Sequence, residues 1–291
     1  MKTILITGAT RGLGLAFARE LSKLQDAKII LAVRDLKAGQ AVAASLGPHV
    51  QAMQLDLASR ASIQAFVEGW SEPLFALINN AGLQFTGPIQ FSPDNVEMTL
   101  AVNHLGPLQL TMGLLPWLRD GVVLGVGSGT HNPDDHIAKI FGFRGGRFSS
   151  IAALARGDMD AANDQKAGMD RYATSKLLFM ATAAEMARRH PETRFLTLDP
   201  GLMPGTGLVR TAPAPVQWVW RRVLPIFTRA IPGASTPANS AAAGCRVLMD
   251  ETSQSGQVYD YDAKRSSEVW DKVFDPAFGK DVVDQSLKAL A

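Results

Sequence analysis

Cysteine is nearly absent. The 291 residues contain one, Cys245, so no intrachain disulfide can form, and a reducing compartment is expected. Cys245 sits in an Ala-rich stretch and reads as a small buried hydrophobe rather than a reactive thiol. Charge of one sign is also missing. The 29 Lys and Arg against 27 Asp and Glu leave a net charge of +2, which gives no reason to expect nucleic acid as a partner. No apolar run reaches the roughly 18 residues a membrane-spanning helix needs. The five histidines (His49, His104, His131, His136 and His190) lack metal-ligand spacing, so no metal is expected. The chain enters a strand-like run at once with KTILITG, an expectation that leaves no signal peptide and points to the cytoplasm. Tyrosine is scarce as well, with three in the chain.

Hydrophobic residues make up 46% of the chain, ample material for a core. They are arranged as strand-length apolar runs alternating with helix-length amphipathic segments. KTILIT, AKIILAV, VQAMQL, LFALIN, GVVLGVGS and TRFLTLD read as strands, and their apolar character is unbroken, as in strands covered on both faces. Strict alternation predicts an α/β fold: a Rossmann-type doubly wound parallel sheet flanked by helices, one domain over residues 1–291. Two stretches break the rhythm. Residues 129–169 are too long for plain coil and read as a functional insertion in which IAALA forms a short helix. Residues 202–236 are Pro-rich and surround QWVWRRVLPIFTRAI.

TGATRGLG, between the first strand and the first helix, has the geometry that places a pyrophosphate on a helix N-terminus. Gly8 permits the tight turn, and Gly12 and Gly14 let backbone approach phosphate and sheet. An ordinary strand–helix turn is the plain alternative. Strand two ends in AVRD, where Arg34 occupies the position that selects between cofactors. With Arg11 it could surround a 2′-phosphate, which favours NADP over NAD, unless Arg34 and Asp35 form a solvated pair.

Tyr172 and Lys176 stand four residues apart in RYATSK, and Ser128 ends the fifth strand. In a chain with three tyrosines such a Tyr-xxx-Lys pair arises by chance in roughly one case in ten, so order and context carry the weight. A phenol can give a proton to an oxygen as hydride arrives. A lysine one helical turn away can lower the phenol's pKa, and a serine hydroxyl can hold the substrate oxygen. A packed tyrosine with a solvated lysine, and a strand-end turn serine, are the structural alternatives.

As a set these motifs resemble the short-chain dehydrogenase/reductases. TGATRGLG matches the TGxxxGxG turn, Asp56-Leu57 the acidic position after strand three, Asn79–Gly82 the NNAG motif, Asn103 the helix asparagine, Ser128 the serine, Tyr172 and Lys176 the pair, and Pro200-Gly201 the turn after strand six. The match runs in order from residue 3 to about 206. VRDL, VNHLG and the long serine-to-tyrosine segment look most like the retinol dehydrogenase and protochlorophyllide reductase branches. The resemblance implies Asn103, Ser128, Tyr172 and Lys176 as catalytic residues. It implies NADP(H) held by Gly8, Thr10, Arg11, Gly12, Leu13, Gly14, Arg34, Asp56, Leu57, Asn80, Ala81, Gly82, Tyr172, Lys176, Pro200, Gly201 and Met203. Asn103 is expected to hold its helix open around a water that leads from Lys176. Two departures bear on the substrate pocket: the Ser128–Tyr172 segment is far longer than is usual, and Pro107 stands where those branches often carry His.

The resemblance places a C-terminal substrate lid over 202–236, where Trp218, Trp220, Val223, Leu224 and Phe227 would line an apolar pocket. Alternatively residues 215–230 lie on a membrane surface, since Trp and Arg suit that boundary, or simply pack on the domain. The expected activity is carbonyl/alcohol oxidoreduction on a mid-sized apolar substrate. Reduction of a ring carbon–carbon double bond and a non-catalytic NADP-binding regulator are the rivals. A homo-oligomer is compatible with the sequence.

Overall fold

The computed structural model describes residues 1–203 and 233–291. The stretch assigned to the lid or the membrane surface, including Trp218 to Phe227, lies outside the described residues.

Seven strands form one parallel sheet in the order β3-β2-β1-β4-β5-β6-β7. They are β1 (Lys2–Thr7), β2 (Ala27–Val33), β3 (Val50–Gln54), β4 (Ala76–Asn79), β5 (Val122–Val126), β6 (Arg194–Asp199) and β7 (Val258–Asp260). The order reverses direction between β1 and β4, so a crevice opens at the carboxyl ends of those strands. The unbroken apolar runs are explained by cover on both sides: every residue of β4 and β5 is buried. One face carries α1 (Gly12–Leu21), α2 (Leu36–Leu46) and the helix Pro237–Met249 near the C-terminus. The other carries α3 (Arg60–Glu68) and the helix that follows β4.

Helix starts follow local chemistry. Asp35 caps α2 by accepting from the Ala38 N–H, and Ser59 caps α3 by accepting from the Ser62 N–H. After β4 the chain forms α4 (Met98–Leu100), a π-helical stretch over Ala101–Leu105, and α5 (Gly106–Leu114) in unbroken succession. Leu105 and Gly106 keep helical backbone, so the chain runs as one continuous helix through the widening to Pro107. The widening falls just before it and contains Asn103.

The 129–169 segment is built, not coiled. It holds α6 (His136–Ile140), capped by Asp135, and α7 (Ile151–Ala155), capped by Ser150. The long helix α8 (Asp164–Arg189) follows, with Asn163 as its cap. Arg144 pairs with buried Asp170, and the Arg147 N–H donates to Thr174 at 2.8 Å. Ile151 and Leu154 join a core with Leu177 and Phe278, so the insertion is docked on α8. Among the described residues two further α-helices follow, α9 (Pro237–Met249) and α10 (Pro276–Leu290). No described helix is long and apolar enough to cross a membrane.

Candidate active site

The glycine turn is fixed from two sides. Gly8 and Gly12 adopt φ of +69° and +58°, which L side chains rarely tolerate. The Asn80 side-chain amide donates to the Thr7 carbonyl at 2.8 Å and to the Gly8 carbonyl at 3.3 Å. Thr7 Oγ1 accepts from the Asn80 and Ala81 N–H groups, each at 3.0 Å. Asn80 therefore holds the turn's shape from β4. Arg11 stands at the N-cap of α1 and gives no side-chain cap. The leading N–H groups of Gly12, Leu13 and Gly14 thus lack an intrahelical partner, and these residues line the crevice. An uncapped helix start on an open glycine turn fits an anionic pyrophosphate.

At the end of β2 no ion pair joins Arg34 to Asp35. Asp35 Oδ1 accepts from the Ala38 N–H at 3.0 Å. Arg34 is exposed on the crevice wall and makes no ion pair among the described residues. Asp56 Oδ1 accepts from the Ala58 N–H at 2.9 Å, which steadies the turn after β3.

The chemical end is assembled by α8 lying close on β5. A side chain on Gly125 would strike Phe179, so glycine there lets α8 approach and set Tyr172 and Lys176 over the strand ends. Ser128 stands two residues past the end of β5, with its hydroxyl acting on the Tyr172 phenol. Lys176 is buried, and its Nζ donates to the Val126 carbonyl at 2.7 Å while lying 5.8 Å from the Tyr172 ring centroid. The phenol's pKa was expected to be lowered by this lysine. In the structure it is pushed up to about 12, first by burial and further by the negative charge of Asp199, against the Ser128 hydrogen bond. The ammonium is spent on a backbone carbonyl, and burial pushes its own pKa down to about 8. At neutral pH the pair is a protonated phenol beside an ammonium.

The candidate residues named from the sequence line a single cavity of about 1850 Å³, with one exception. Asn103 stands behind the wall. Its Oδ1 accepts from the Leu83 N–H at 2.8 Å, and its Nδ2 donates to the Leu83 carbonyl at 2.9 Å and to Ser175 Oγ at 3.0 Å. It ties the segment after β4 to α8 and makes no direct hydrogen bond to Lys176, whose ammonium goes to the Val126 carbonyl.

The sequence reading missed other parts of the site. Phe143 packs 6.2 Å from the Tyr172 ring, and with Ala138, Met169 and Ala173 it forms a small apolar core beside the phenol. These come from the insertion and the start of α8, so the inserted segment builds one wall of the cavity. His131 is buried. Its Nδ1 faces the Ser128 carbonyl at 2.7 Å, and its Nε2 accepts from the Trp270 N–H at 3.2 Å. That pattern requires the neutral ring, in keeping with a pKa lowered by burial, and it locks the turn after Ser128 to the C-terminal region. Asp199, a carboxylate closing the apolar run FLTLD directly before Pro200-Gly201, also lines the cavity. Its place at a strand's carboxyl end was the available signal. No group of three or more His, Cys, Asp and Glu among the described residues could hold a metal ion.

A parallel sheet with a glycine turn at its switch point and a Tyr–Lys–Ser cluster across the crevice defines an oxidoreductase of the dinucleotide-fold class. The chain belongs to the short-chain dehydrogenase/reductase family: the family model described as short chain dehydrogenase matches residues 2–133. It is 31% identical over 255 residues to retinol dehydrogenase 12 of Bos taurus, covering 83% of this chain and 73% of that protein. It is 35% identical over 235 residues to a chloroplastic protochlorophyllide reductase of Pisum sativum, covering 71% of this chain and 57% of that one. The chain thus spans little more than half the length of the pea protein. A crystal structure of an uncharacterized protein from Mycobacterium paratuberculosis superimposes with a TM-score of 0.70 at 25% identity, covering 100% of this chain and 93% of that one.

Proposed function

We propose that this protein is an NADP(H)-dependent carbonyl/alcohol oxidoreductase acting on a mid-sized apolar substrate. The observation that carries the reading is the convergence of Ser128, Tyr172 and Lys176 on one cavity with the uncapped start of α1. When bound, the nicotinamide nucleotide supplies or accepts the hydride. Gly12, Leu13 and Gly14 would hold its pyrophosphate, Arg34 and Arg11 its 2′-phosphate, and Asp56 and Leu57 its adenine side. Tyr172, protonated at neutral pH, gives its proton to the substrate oxygen in reduction and takes it back in oxidation. Ser128 orders that oxygen beside the phenol. Lys176 supplies the positive charge that steadies the phenolate as it forms. Phe143, Met169 and Ala138 give the cavity an apolar flank next to Tyr172, suited to a hydrophobic substrate.

Cofactor choice is tested at Arg34. A hydrogen bond to a charged group is worth roughly 1.5–3 kcal/mol, a factor of about ten to a hundred in affinity. Arg34→Ala should weaken NADPH by that factor in titration and kinetics and leave NADH nearly unchanged. Native protein that uses NADH as well as NADPH would contradict the assignment.

The turn itself gives a second test. A Cβ on Gly14 would lie 2.5 Å from the Gly8 carbonyl oxygen and also strike the Asn80 amide. Backbone cannot rotate away as a side chain can. Gly14→Ala should therefore lower thermal stability by about 1–3 kcal/mol and weaken NADPH at least tenfold by fluorescence titration. Unchanged affinity would place the pyrophosphate elsewhere.

A second reading, reduction of a carbon–carbon double bond in a large ring, is supported by the identity to the pea protochlorophyllide reductase. The same tyrosine would serve as proton donor. Turnover that requires light would select it.

A further inference from the structure

Asp199 has no role in the chemistry described so far, yet it occupies the floor of the cavity. Pairing of β5 with β6 sets Leu198 opposite Val126, the residue whose carbonyl receives the Lys176 ammonium. The Gly127 N–H donates to the Leu198 carbonyl at 2.8 Å, so Asp199 follows at the level of Gly127 and Ser128. One of its oxygens is committed: Oδ1 accepts from the Gly201 N–H at 3.0 Å. Oδ2 lies at Gly129, where a Cβ would come within 3.5 Å of it and 2.5 Å of Asp135 Oδ2. The charged and titratable groups around Asp199 are Asp135 from the turn before α6, Asp260 beside it on β7, and Lys176 and Tyr172 from α8. No direct ion pair joins Asp199 to Lys176.

A buried ammonium held by one neutral carbonyl is poorly stabilised, since burial favours the uncharged amine. We infer that Asp199 is a positioning residue whose carboxylate supplies the through-space counter-charge that keeps Lys176 protonated in the active site. The inference rests on the oxidoreductase reading for its effect on turnover, but not for its effect on the lysine. The surrounding charges favour this direction. Asp199 is the charged side chain acting on Lys176, and it raises that pKa against burial. Burial and the two neighbouring carboxylates push the pKa of Asp199 up to about 7. The ammonium of Lys176 in turn favours the charged carboxylate, so each group supports the ionised form of the other. Loss of the carboxylate removes a stabilising negative charge, so the lysine must release its proton at lower pH.

The experiment compares native protein with Asp199→Asn and Asp199→Glu. Competitive labelling of amines with acetic anhydride across pH, read by mass spectrometry on the peptide holding Lys176, gives the titration of that lysine without turnover. The midpoint should fall by about one pH unit in Asp199→Asn, the lower end of a neighbouring-charge effect, and return in Asp199→Glu. The high-pH limb of kcat/KM should move with it. Asp199→Ser, which retains an acceptor for the Gly201 N–H, replaces Asp199→Asn if that variant does not fold. An unchanged lysine midpoint in the folded variant, or a Glu variant that behaves like Asn, overturns the inference. Absence of turnover in the native protein over a substrate panel would instead overturn the proposed function and leave the labelling result standing.

Discussion

Replacing Tyr172 by Phe should lower turnover at least about a hundredfold, the usual scale for loss of a general acid, with NADPH affinity unchanged. The ring, its packing against Phe143 and the helix position are all retained, and only the hydroxyl bonded to Ser128 is lost. Burial and the charge of Asp199 keep the phenol protonated at neutral pH, and the positive charge of Lys176 offsets their effect as the proton leaves. Steady-state kinetics with a fluorescence titration of NADPH separates the two quantities. A Phe variant with near-native turnover would remove Tyr172 from the chemistry. One with native turnover number and weakened NADPH would make it a binding residue.

Lys176→Met should reduce kcat/KM by about a hundredfold at pH 7, and the deficit should narrow as pH rises. A unit charge about 6 Å away in an effective dielectric near 20 is worth roughly 3 kcal/mol, which sets the size. The pH dependence follows from the lysine's own titration. Its pKa is lowered to about 8, so the native ammonium is present at pH 7 and lost through the range above 8. Native activity should fall through that range, and the Met variant, with nothing to titrate there, should stay level. A pH–rate profile checks both. A limb near 8 that persists in Lys176→Met assigns it to another group. The direction opposes Asp199→Asn in cause but not in outcome: one removes the cation, the other removes what holds its proton.

Much of the architecture was legible because each level of the sequence pointed the same way. Unbroken apolar runs such as AKIILAV and GVVLGV meant strands buried on both faces, and the sheet shows them so. The glycines of TGATRGLG announced a turn with positive φ, and Gly8 and Gly12 adopt it. The insertion was harder to read. Its helices α6 and α7 have five residues each, too short for a periodic signal, and their starts are set by single capping residues, Asp135 and Ser150. What orders them is tertiary: the Arg144–Asp170 pair and the packing of Ile151 and Leu154 against α8. The same limit applied to Asn103. Its motif position was plain, but its bonds run to Leu83 and Ser175, neither of which lies near it in sequence. The upward shift of the phenol's pKa was hidden for a related reason. Four-residue spacing brought Lys176 to the face of Tyr172, but spacing does not reveal burial, the Val126 carbonyl or Asp199.

We propose that this cavity transfers hydride from NADPH with Tyr172 as the proton donor. A screen of NADPH consumption over apolar aldehydes, ketones and enones, with Tyr172→Phe as the blank, tests it most directly. The account predicts turnover on at least one carbonyl compound, slower by about a hundredfold or more in the Phe variant. NADPH that binds the native protein but is consumed with no member of the panel, or consumed equally by both proteins, would contradict it.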